Sequence, residues 1–267
     1  MLDFIPLINN GKNVDPKPAQ KFERPEALIL EALQNSVDGT KTGEIPKIHF
    51  HFSRVNKSDC AFLGSNFQKH LKASKYSMEK NLPENIECLV IEDFGTTGIE
   101  GNHREVHLEK TTEGIENSWY YFLNDFGGES KLTSSGKGGS EGEGRQTFML
   151  SSKISTFFGI SIDHKKKIPA IFGMSYFGSH KVDAQRFNIF CDFGEKNKAE
   201  ENVIPIVDEK KVREFIKLFG LKRKIDDAGL SVIIPIYNSN EITKEFIEKK
   251  IIEIYRVPLL RNKLSVY

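Results

Sequence analysis

The sequence predicts an α+β fold, a two-layer sandwich in which helices on one face cover a mixed, largely antiparallel sheet. Strand-type segments in the second half of the chain follow one another through short turns, as antiparallel neighbours do. Amphipathic helical segments separate the other strands, and such helices need a sheet face to bury their apolar side. The 267 residues, 38% hydrophobic and 28% charged, are enough for a packed core.

The N-terminal segment is predicted to be an irregular arm. Residues 1–21 contain Asn9-Asn10-Gly11 and prolines, which interrupt regular structure. A helix is predicted over about residues 25–37, because proline suits a first helical turn and Gly39 is a suitable stop. Residues 22–267 are therefore expected to form the folded domain behind this arm.

The middle of the chain alternates between strands and polar segments. Residues 56–86 are lysine-rich and predict a surface insertion that is partly helical. Residues 94–144 are rich in glycine and serine around a helix near 118–123, and a loop of this length is typical of a lid. The other predicted elements are strands at 45–55 and 87–93, a helix from 145, strands near 154–162, 168–178 and 185–193, a helix at 208–219, a strand at 230–237, a helix at 241–255 and a strand from 263.

Charge and cysteine content exclude several classes of protein. The net charge of +1 gives no global attraction to nucleic acid or membrane, and the run Lys222-Arg223-Lys224 is interpreted as solvated surface. The three cysteines are scattered and odd in number, so neither a disulfide framework nor a CxxC metal pair is expected. No signal sequence or bilayer-spanning run is recognised, so a cytoplasmic protein without membrane contact is expected.

The first helix carries a polar stripe. At about 100° per residue, Glu31, Asn35 and Asp38 fall within roughly 60° of one another. Such a stripe is either a solvated surface or one wall of a site. Four apolar residues are expected on the opposite side, packed on the sheet: Ile29, Leu30, Leu33 and Val37.

A second polar element stands at the end of an apolar strand. Asp93 closes the segment ECLVIED and begins DFGTTG, with glycines at 95 and 98. A carboxylate placed there can accept a hydrogen bond from an amino group such as the exocyclic amine of adenine, and glycines let a flat ring approach the backbone. An ordinary Asp-Gly turn has the same pattern.

The third element is the glycine-rich segment SSGKGGSEGEGRQTF, residues 134–148, just before a predicted helix. Backbone N–H groups and a helix N-terminus favour an anion there, and Lys137 and Arg145 add positive charge suited to phosphates. The Walker A pattern GxxxxGK[ST] is absent. A flexible linker is the alternative interpretation.

Taken in order, these elements resemble the GHKL ATPases, which include gyrase, a heat-shock chaperone, histidine kinases and MutL and share the Bergerat ATP-binding fold. Residues 31–39 look like the family's E-x-x-x-N-x-x-D-A/G box, 93–98 like its D-x-G-x-G box and 139–144 like its G-x-x-G-x-G box. Residues 228–237 resemble its G-T-x-V strand. The resemblance covers nearly the whole chain.

The resemblance implies a Mg²⁺-dependent ATP hydrolase. By this resemblance Glu31 is the general base that activates water, Asn35 the Mg²⁺ ligand, and Asp38 a support near the sugar and phosphates. Asp93 would read the adenine amine, and Gly95 and Gly98 would shape its pocket.

The phosphates would be held by the glycine-rich box. Gly139, Gly142 and Gly144 would offer backbone N–H groups, and Lys137 or Arg145 would be candidates for a γ-phosphate contact that relatives often take from a following domain. Three departures from the family pattern stand out. The Asp93 box has one extra residue. Ser231 stands one place after the threonine that in relatives helps to hold adenine, and it is expected to substitute for that threonine. Glu141 and Glu143 lie in the phosphate loop and are expected to point outward.

Three functional interpretations remain open from the sequence. In relatives ATP closes the lid and dimerises two domains, so an ATP-dependent homodimer is expected, with a protein or DNA partner reached through downstream domains. A non-hydrolysing nucleotide sensor is an alternative, and so is a histidine-kinase-type module, although such kinases usually carry asparagine at the Glu31 position. The glycine-rich segment is also similar to uncharacterised bacterial GHKL proteins, some of which look like antiphage defence components.

Overall fold

The computed structural model describes residues 2–8, 25–124, 144–197 and 202–267. These ranges contain ten strands: β1 Asp3–Ile8, β2 Lys47–Asn56, β3 Asn85–Phe94, β4 Thr156–Ile162, β5 Pro169–Tyr176, β6 His180–Val182, β7 Gln185–Asn197, β8 Asn202–Ile204, β9 Gly229–Pro235 and β10 Ser265–Val266. They also contain six α-helices: α1 Pro25–Asp38, α2 Ser65–Ala73, α3 Ser118–Leu123, α4 Gly144–Leu150, α5 Glu209–Phe219 and α6 Lys244–Leu260.

The strands form one sheet in the order β1-β7-β5-β4-β9-β3-β2-β10, with β6 and β8 also paired to β7. Among the described strands every pairing is antiparallel except the short parallel one between β10 and β2. The α+β class and the mixed, largely antiparallel sheet are therefore confirmed. Strand β4 stands in the middle and is buried along its whole length, which explains its apolar sequence.

Helices cover both faces of the sheet, and this differs from the predicted single helical layer. Along β3, Cys88 and Val90 belong to one apolar core, whereas Leu89 and Ile91 belong to the other, because side chains alternate across a strand. Helices α1, α3, α4 and α6 contribute to the second core, and α2 and α5 contribute to the first. A sheet with two apolar faces must bury both, so α2 and α5 supply the extra layer.

The N-terminal segment is not irregular throughout, as residues 1–21 were expected to be. Strand β1 pairs antiparallel with β7, with Asp3 opposite Gly194. The ring of Phe4 lies 5.2 Å from the ring of Phe193. Pro6 is tolerated because β1 is an edge strand whose register shifts after this residue.

The insertion over residues 56–86 is partly helical, as predicted, and it also builds core. Two 3₁₀ helices, Lys57–Asp59 and Ala61–Leu63, lead into α2. Phe62, Phe67 and Leu71 are buried in the core on the α5 side of the sheet. The lysines occupy the outer surface of a segment whose aromatic residues anchor it.

Helix α6 is bent. Pro258 has no N–H to donate to the preceding turn, and Tyr255 has non-helical dihedral angles (φ −116°, ψ 20°). None of the helices in the described ranges has the length and apolar character needed to cross a membrane.

Candidate functional site

A small cavity lies between α1 and the sheet, and it brings two of the three sequence boxes together. Its walls come from α1, β3, α4 and β9. Asn35 and Asp93 supply its most polar groups. The lining residues are Ala32, Asn35, Ser36, Ile91, Asp93, Phe148, Leu230 and Val232.

The carboxylate of Asp93 is held through one oxygen. Oδ1 accepts hydrogen bonds from Oγ1 of Thr96 at 2.5 Å and from the backbone N–H of Leu230 at 2.7 Å. Within the described part of the chain, Oδ2 has only the hydroxyl of Ser36, at 3.5 Å, and the single proton of that hydroxyl is directed mainly to the carbonyl of Ala32 at 2.8 Å. Because a carboxylate oxygen can accept two bonds, Oδ2 keeps acceptor capacity on the side of the cavity.

Burial raises the pKa of Asp93, and the positive charge of Arg223 opposes this shift. Nη2 of Arg223 lies 3.7 Å from Oδ1. Burial also lowers the pKa of Arg223, while the charges of Asp93 and Glu92 raise it. The two buried groups therefore each support the charged form of the other.

Arg223 is the main support behind Asp93. Its guanidinium donates to the carbonyl oxygens of Asp93, Leu230 (2.8 Å) and Asp227 (2.8 Å), and its Nε donates to the hydroxyl of Ser231 at 2.8 Å. Its side chain is fully buried. The prediction that the charged run at 222–224 is solvated is therefore wrong for Arg223, which ties the end of β3 to the start of β9.

Ser231 does not reach the cavity. Leu230 and Val232 line it, so the residue between them points to the opposite face of β9. There Ser231 donates to Oε2 of Glu92 at 2.9 Å and accepts from Arg223. The expected replacement of the family threonine by Ser231 is not realised in this geometry, and Thr96 supplies the hydroxyl beside Asp93 instead.

Gly95 and Gly98 both have positive φ, +79° and +70°. A Cβ on Gly98 would lie 2.4 Å from the carbonyl oxygen of Ile162, and one on Gly95 would lie 2.9 Å from that of Ile45. Only glycine fits these approaches without strain. The two glycines thus determine the backbone path after β3. Neither lines the cavity, and their role in shaping an adenine pocket stays a prediction.

The end of α1 is joined to the segment after Asp93. The backbone N–H of Thr97 donates to the carbonyl of Gly39 at 2.8 Å, and that of Lys41 donates to the carbonyl of Gly95 at 3.0 Å. Gly39 itself donates to the carbonyl of Asn35 at 2.9 Å. These bonds hold Asn35 at a defined position relative to Asp93.

Glu31 and Asp38 do not line the cavity, and both lie near helix α6. Oδ2 of Asp38 accepts a hydrogen bond from Nε2 of Gln34 at 3.0 Å. The pKa of Tyr255 is raised, first by burial and then by the negative charges of Asp38 and Glu31, so both carboxylates are close to this phenol. The polar stripe on α1 therefore runs from the cavity at Asn35 toward α6.

The buried face of α1 differs from the expected one. Leu30 and Val37 are 46% and 38% exposed, although they were predicted to pack on the sheet. The small residues Ala32 and Ser36 face the sheet and leave room for the cavity. The buried residues of the helix are Leu28, Ile29, Ala32, Leu33 and Ser36.

Most of the glycine-rich box lies outside the described residues, including Lys137, Gly139 and Gly142, and so do Glu141 and Glu143. Gly144 is the first residue of α4, and the side chain of Arg145 is also outside the description. A helix does follow the segment, as predicted. Phe148 of that helix lines the cavity.

Sequence reasoning missed three residues that build the site: Arg223, Thr96 and Gly229. Gly229 has a φ of +131°, and a Cβ there would lie 2.5 Å from Oδ1 of Asp93. A glycine opening an apolar strand was a usable signal for such an approach. Arg223 gave no comparable signal, because a cation between two lysines is usually solvated.

No protein-family model matches the chain, and no curated protein matches it in sequence.

Proposed function

We propose that the chain binds ATP in the cavity between α1 and the sheet, with Oδ2 of Asp93 accepting a hydrogen bond from the amino group of adenine. The supporting observation is the asymmetry of this carboxylate. Its Oδ1 is held by Thr96 and Leu230, while Oδ2 keeps acceptor capacity toward the cavity.

The cavity, about 10 Å³, holds at most one water molecule, so a ring enters only when the walls separate; their side chains suit a flat heterocycle. Ile91 and Val232 offer the apolar surface of the sheet, and Phe148 offers an aromatic side chain from α4. Because Oδ2 of Asp93 is a fixed hydrogen-bond acceptor between apolar walls, it favours a ring that has a hydrogen-bond donor at its edge. Adenine has an amino group there, whereas guanine has a carbonyl oxygen, so we expect a preference for ATP over GTP.

The phosphates would extend along the polar stripe of α1. Asn35 lies at the rim of the cavity, and an amide oxygen is a hard ligand of the kind that Mg²⁺ accepts alongside phosphate oxygens and water. Bound there with ATP, Mg²⁺ would neutralise phosphate charge. The glycine-rich segment before α4 would supply backbone N–H groups to the same phosphates.

Glu31 is the residue that we assign to hydrolysis. It stands one helical turn before Asn35 on the same stripe, so its carboxylate can orient and deprotonate a water molecule at the γ-phosphate. Hydrolysis would then drive a GHKL-type cycle of closure and dimerisation. A non-hydrolysing sensor would bind ATP through the same cavity and differ only in this step.

Calorimetric titration with ATP and Mg²⁺, together with phosphate release, tests the proposal in the wild type, Glu31→Ala and Asp93→Asn. We expect binding by the wild type and Glu31→Ala, much weaker binding by Asp93→Asn, and release only by the wild type. Binding without release from any variant would support the sensor instead. Absence of binding to the wild type would refute the proposal.

A further inference from the structure

Three potential metal ligands meet on the opposite face of the sheet. His70 of α2, His180 of β6 and Cys191 of β7 are all buried. One donor atom from each lies within 4.8 Å of the other two. Cys191 belongs to the core of the α5 side, whereas the Asp93 cavity is lined from the core of the α1 side. The cluster is therefore separate from the candidate ATP site.

The hydrogen bonds of the two histidines fix their tautomers. Nδ1 of His180 lies 2.7 Å from the carbonyl oxygen of Gly178, which can only accept, so Nδ1 carries the proton. Nε2 of His180 therefore presents its lone pair to Nδ1 of His70, which lies 2.8 Å away and donates. A ring N–H bound to a backbone carbonyl is also the usual orienting contact of a metal-binding histidine.

Phenylalanine rings enclose the cluster. The ring of Phe187 lies 4.5 Å from that of His70 between centroids, Phe4 lies 5.3 Å from His70, and Phe177 lies 5.8 Å from His180. This apolar shell limits access of water and reduces rotation of the imidazoles. The shell joins β1, the α2 insertion and the β6–β7 hairpin, which are distant in sequence.

We propose that His70, His180 and Cys191 form a zinc-binding site that fastens the α2 insertion to the β6–β7 hairpin. Imidazole nitrogen and thiolate sulfur are the ligands that Zn²⁺ prefers, at about 2.1 Å and 2.3 Å. Two nitrogens on a tetrahedral zinc lie roughly 3.4 Å apart, so the two rings need to separate only slightly. Water or a small anion completes the coordination.

Binding of zinc replaces the proton that the two histidines share. His70 stays neutral by changing tautomer: Nδ1 loses its proton to solvent and binds the metal, and Nε2 takes up a proton from solvent. The Cys191 thiol loses its proton to solvent and binds as the thiolate, which balances one of the two charges of the cation. Burial raises the pKa of this thiol well above its ordinary value, so without a cation the thiol stays protonated.

The test uses the wild-type chain after removal of metal by a chelator. Titration with Co²⁺ is expected to give one equivalent bound, with a thiolate-to-cobalt charge-transfer band and the visible bands of a four-coordinate ion. Zn²⁺ should displace Co²⁺ with a Kd below about 1 μM and raise the thermal unfolding midpoint. A wild-type spectrum without the thiolate band would overturn the proposal, and this measurement needs no variant to fold.

Two cysteine variants identify the ligand. Cys191→Ser should lose the charge-transfer band and at least tenfold in zinc affinity. Cys88→Ser is the matched control, because Cys88 is equally buried but lies on β3 outside the cluster. Cys88→Ser should keep both the charge-transfer band and the wild-type affinity for zinc. A band that survives in Cys191→Ser, or that disappears in Cys88→Ser, would contradict the assignment.

Discussion

The backbone of Gly229 lies against the carboxylate of Asp93, so close that a Cβ on residue 229 would stand 2.5 Å from Oδ1 and 2.6 Å from the Asp93 carbonyl oxygen. The φ of Gly229 is +131°, a value that other residues rarely adopt. This approach lets the neighbouring N–H of Leu230 donate to Oδ1. The orientation of Asp93 therefore depends on the absence of a side chain at residue 229, the first residue of β9.

Gly229→Ala is expected to destabilise the fold and to weaken ATP binding. The positive φ alone costs about 1–3 kcal/mol for alanine, and the contact with Asp93 adds to this. Gly114→Ala is the control, since Gly114 has a φ of +79° but no atom of the described residues within 4 Å of its Cβ position. Urea unfolding should show a larger loss for Gly229→Ala, and equal losses would argue against the close approach.

Asp93→Asn is expected to change nucleotide preference. Thr96 and Leu230 donate to Oδ1, so an amide should turn its oxygen toward them and its NH₂ toward the cavity. An acceptor is thereby replaced by a donor. We expect ATP affinity to fall by about 10- to 100-fold, while GTP affinity is maintained or improves.

The exposed Asp59→Asn serves as a control for the loss of one negative charge. Its affinities for both nucleotides should equal those of the wild type. An Asp93→Asn variant that stays folded and binds ATP normally would show that this carboxylate does not contact adenine.

Glu31→Gln should separate hydrolysis from binding. The amide keeps the shape of the side chain but cannot accept a proton from water, so we expect phosphate release to fall by roughly 10²- to 10⁴-fold. The affinity for ATP should remain. Glu26→Gln on the same helix should leave both unchanged, and normal turnover by Glu31→Gln would exclude its role as the base.

Arg223→Met tests the support behind Asp93. Methionine fills part of the volume but leaves the carbonyl oxygens of Asp93, Asp227 and Leu230 without this donor and the carboxylate of Asp93 without its positive neighbour, and breaking such a buried network costs about 3–5 kcal/mol. Arg213→Met removes an exposed arginine paired with Glu209 and should cost less than about 1 kcal/mol. Similar urea midpoints for the two variants would contradict the structural role.

Acidification should weaken ATP binding through Asp93. Burial raises the pKa of Asp93, so it takes up a proton at a higher pH than an ordinary aspartate does, although the neighbouring Arg223 opposes this. A protonated carboxyl is a poorer acceptor, and affinity should therefore fall as the pH falls through this raised pKa. The ratio of wild-type to Asp93→Asn affinities isolates the effect, because titration of ATP itself cancels.

The raised pKa of Asp93 affects fold stability in the opposite direction from ATP affinity: acid weakens binding but favours the folded state. A folded-state pKa above the unfolded value means that the folded chain binds this proton more tightly, so the contribution of Asp93 to the free energy of unfolding is greatest at low pH and is lost as the pH rises through the folded pKa. Protonation of Asp93 should thus lower ATP affinity in acid without itself causing unfolding. A flat affinity ratio across the pH range would rule out the titration of Asp93.

The sequence by itself determined the local features of the site. Helix α1, the apolar strand that ends at Asp93 and the glycines after it follow from periodicity and turn chemistry, which act within a few residues. The largely antiparallel sheet followed from the short turns between late strands. The juxtaposition of Asn35 and Asp93 was expected only by resemblance, and the structure places both at one cavity.

Only the tertiary structure decided the rest. Three features depend on residues that are far apart in the sequence. These are the burial of Arg223, the face of β9 on which Ser231 lies, and the pairing of the proline-containing β1 with the edge of the sheet. Such contacts are set by strand register and by the sum of packing on both faces of the sheet. These long-range contacts cannot be predicted from a short stretch of sequence. The support of Asp93 by Arg223 and the second helical layer are therefore visible only in the folded chain.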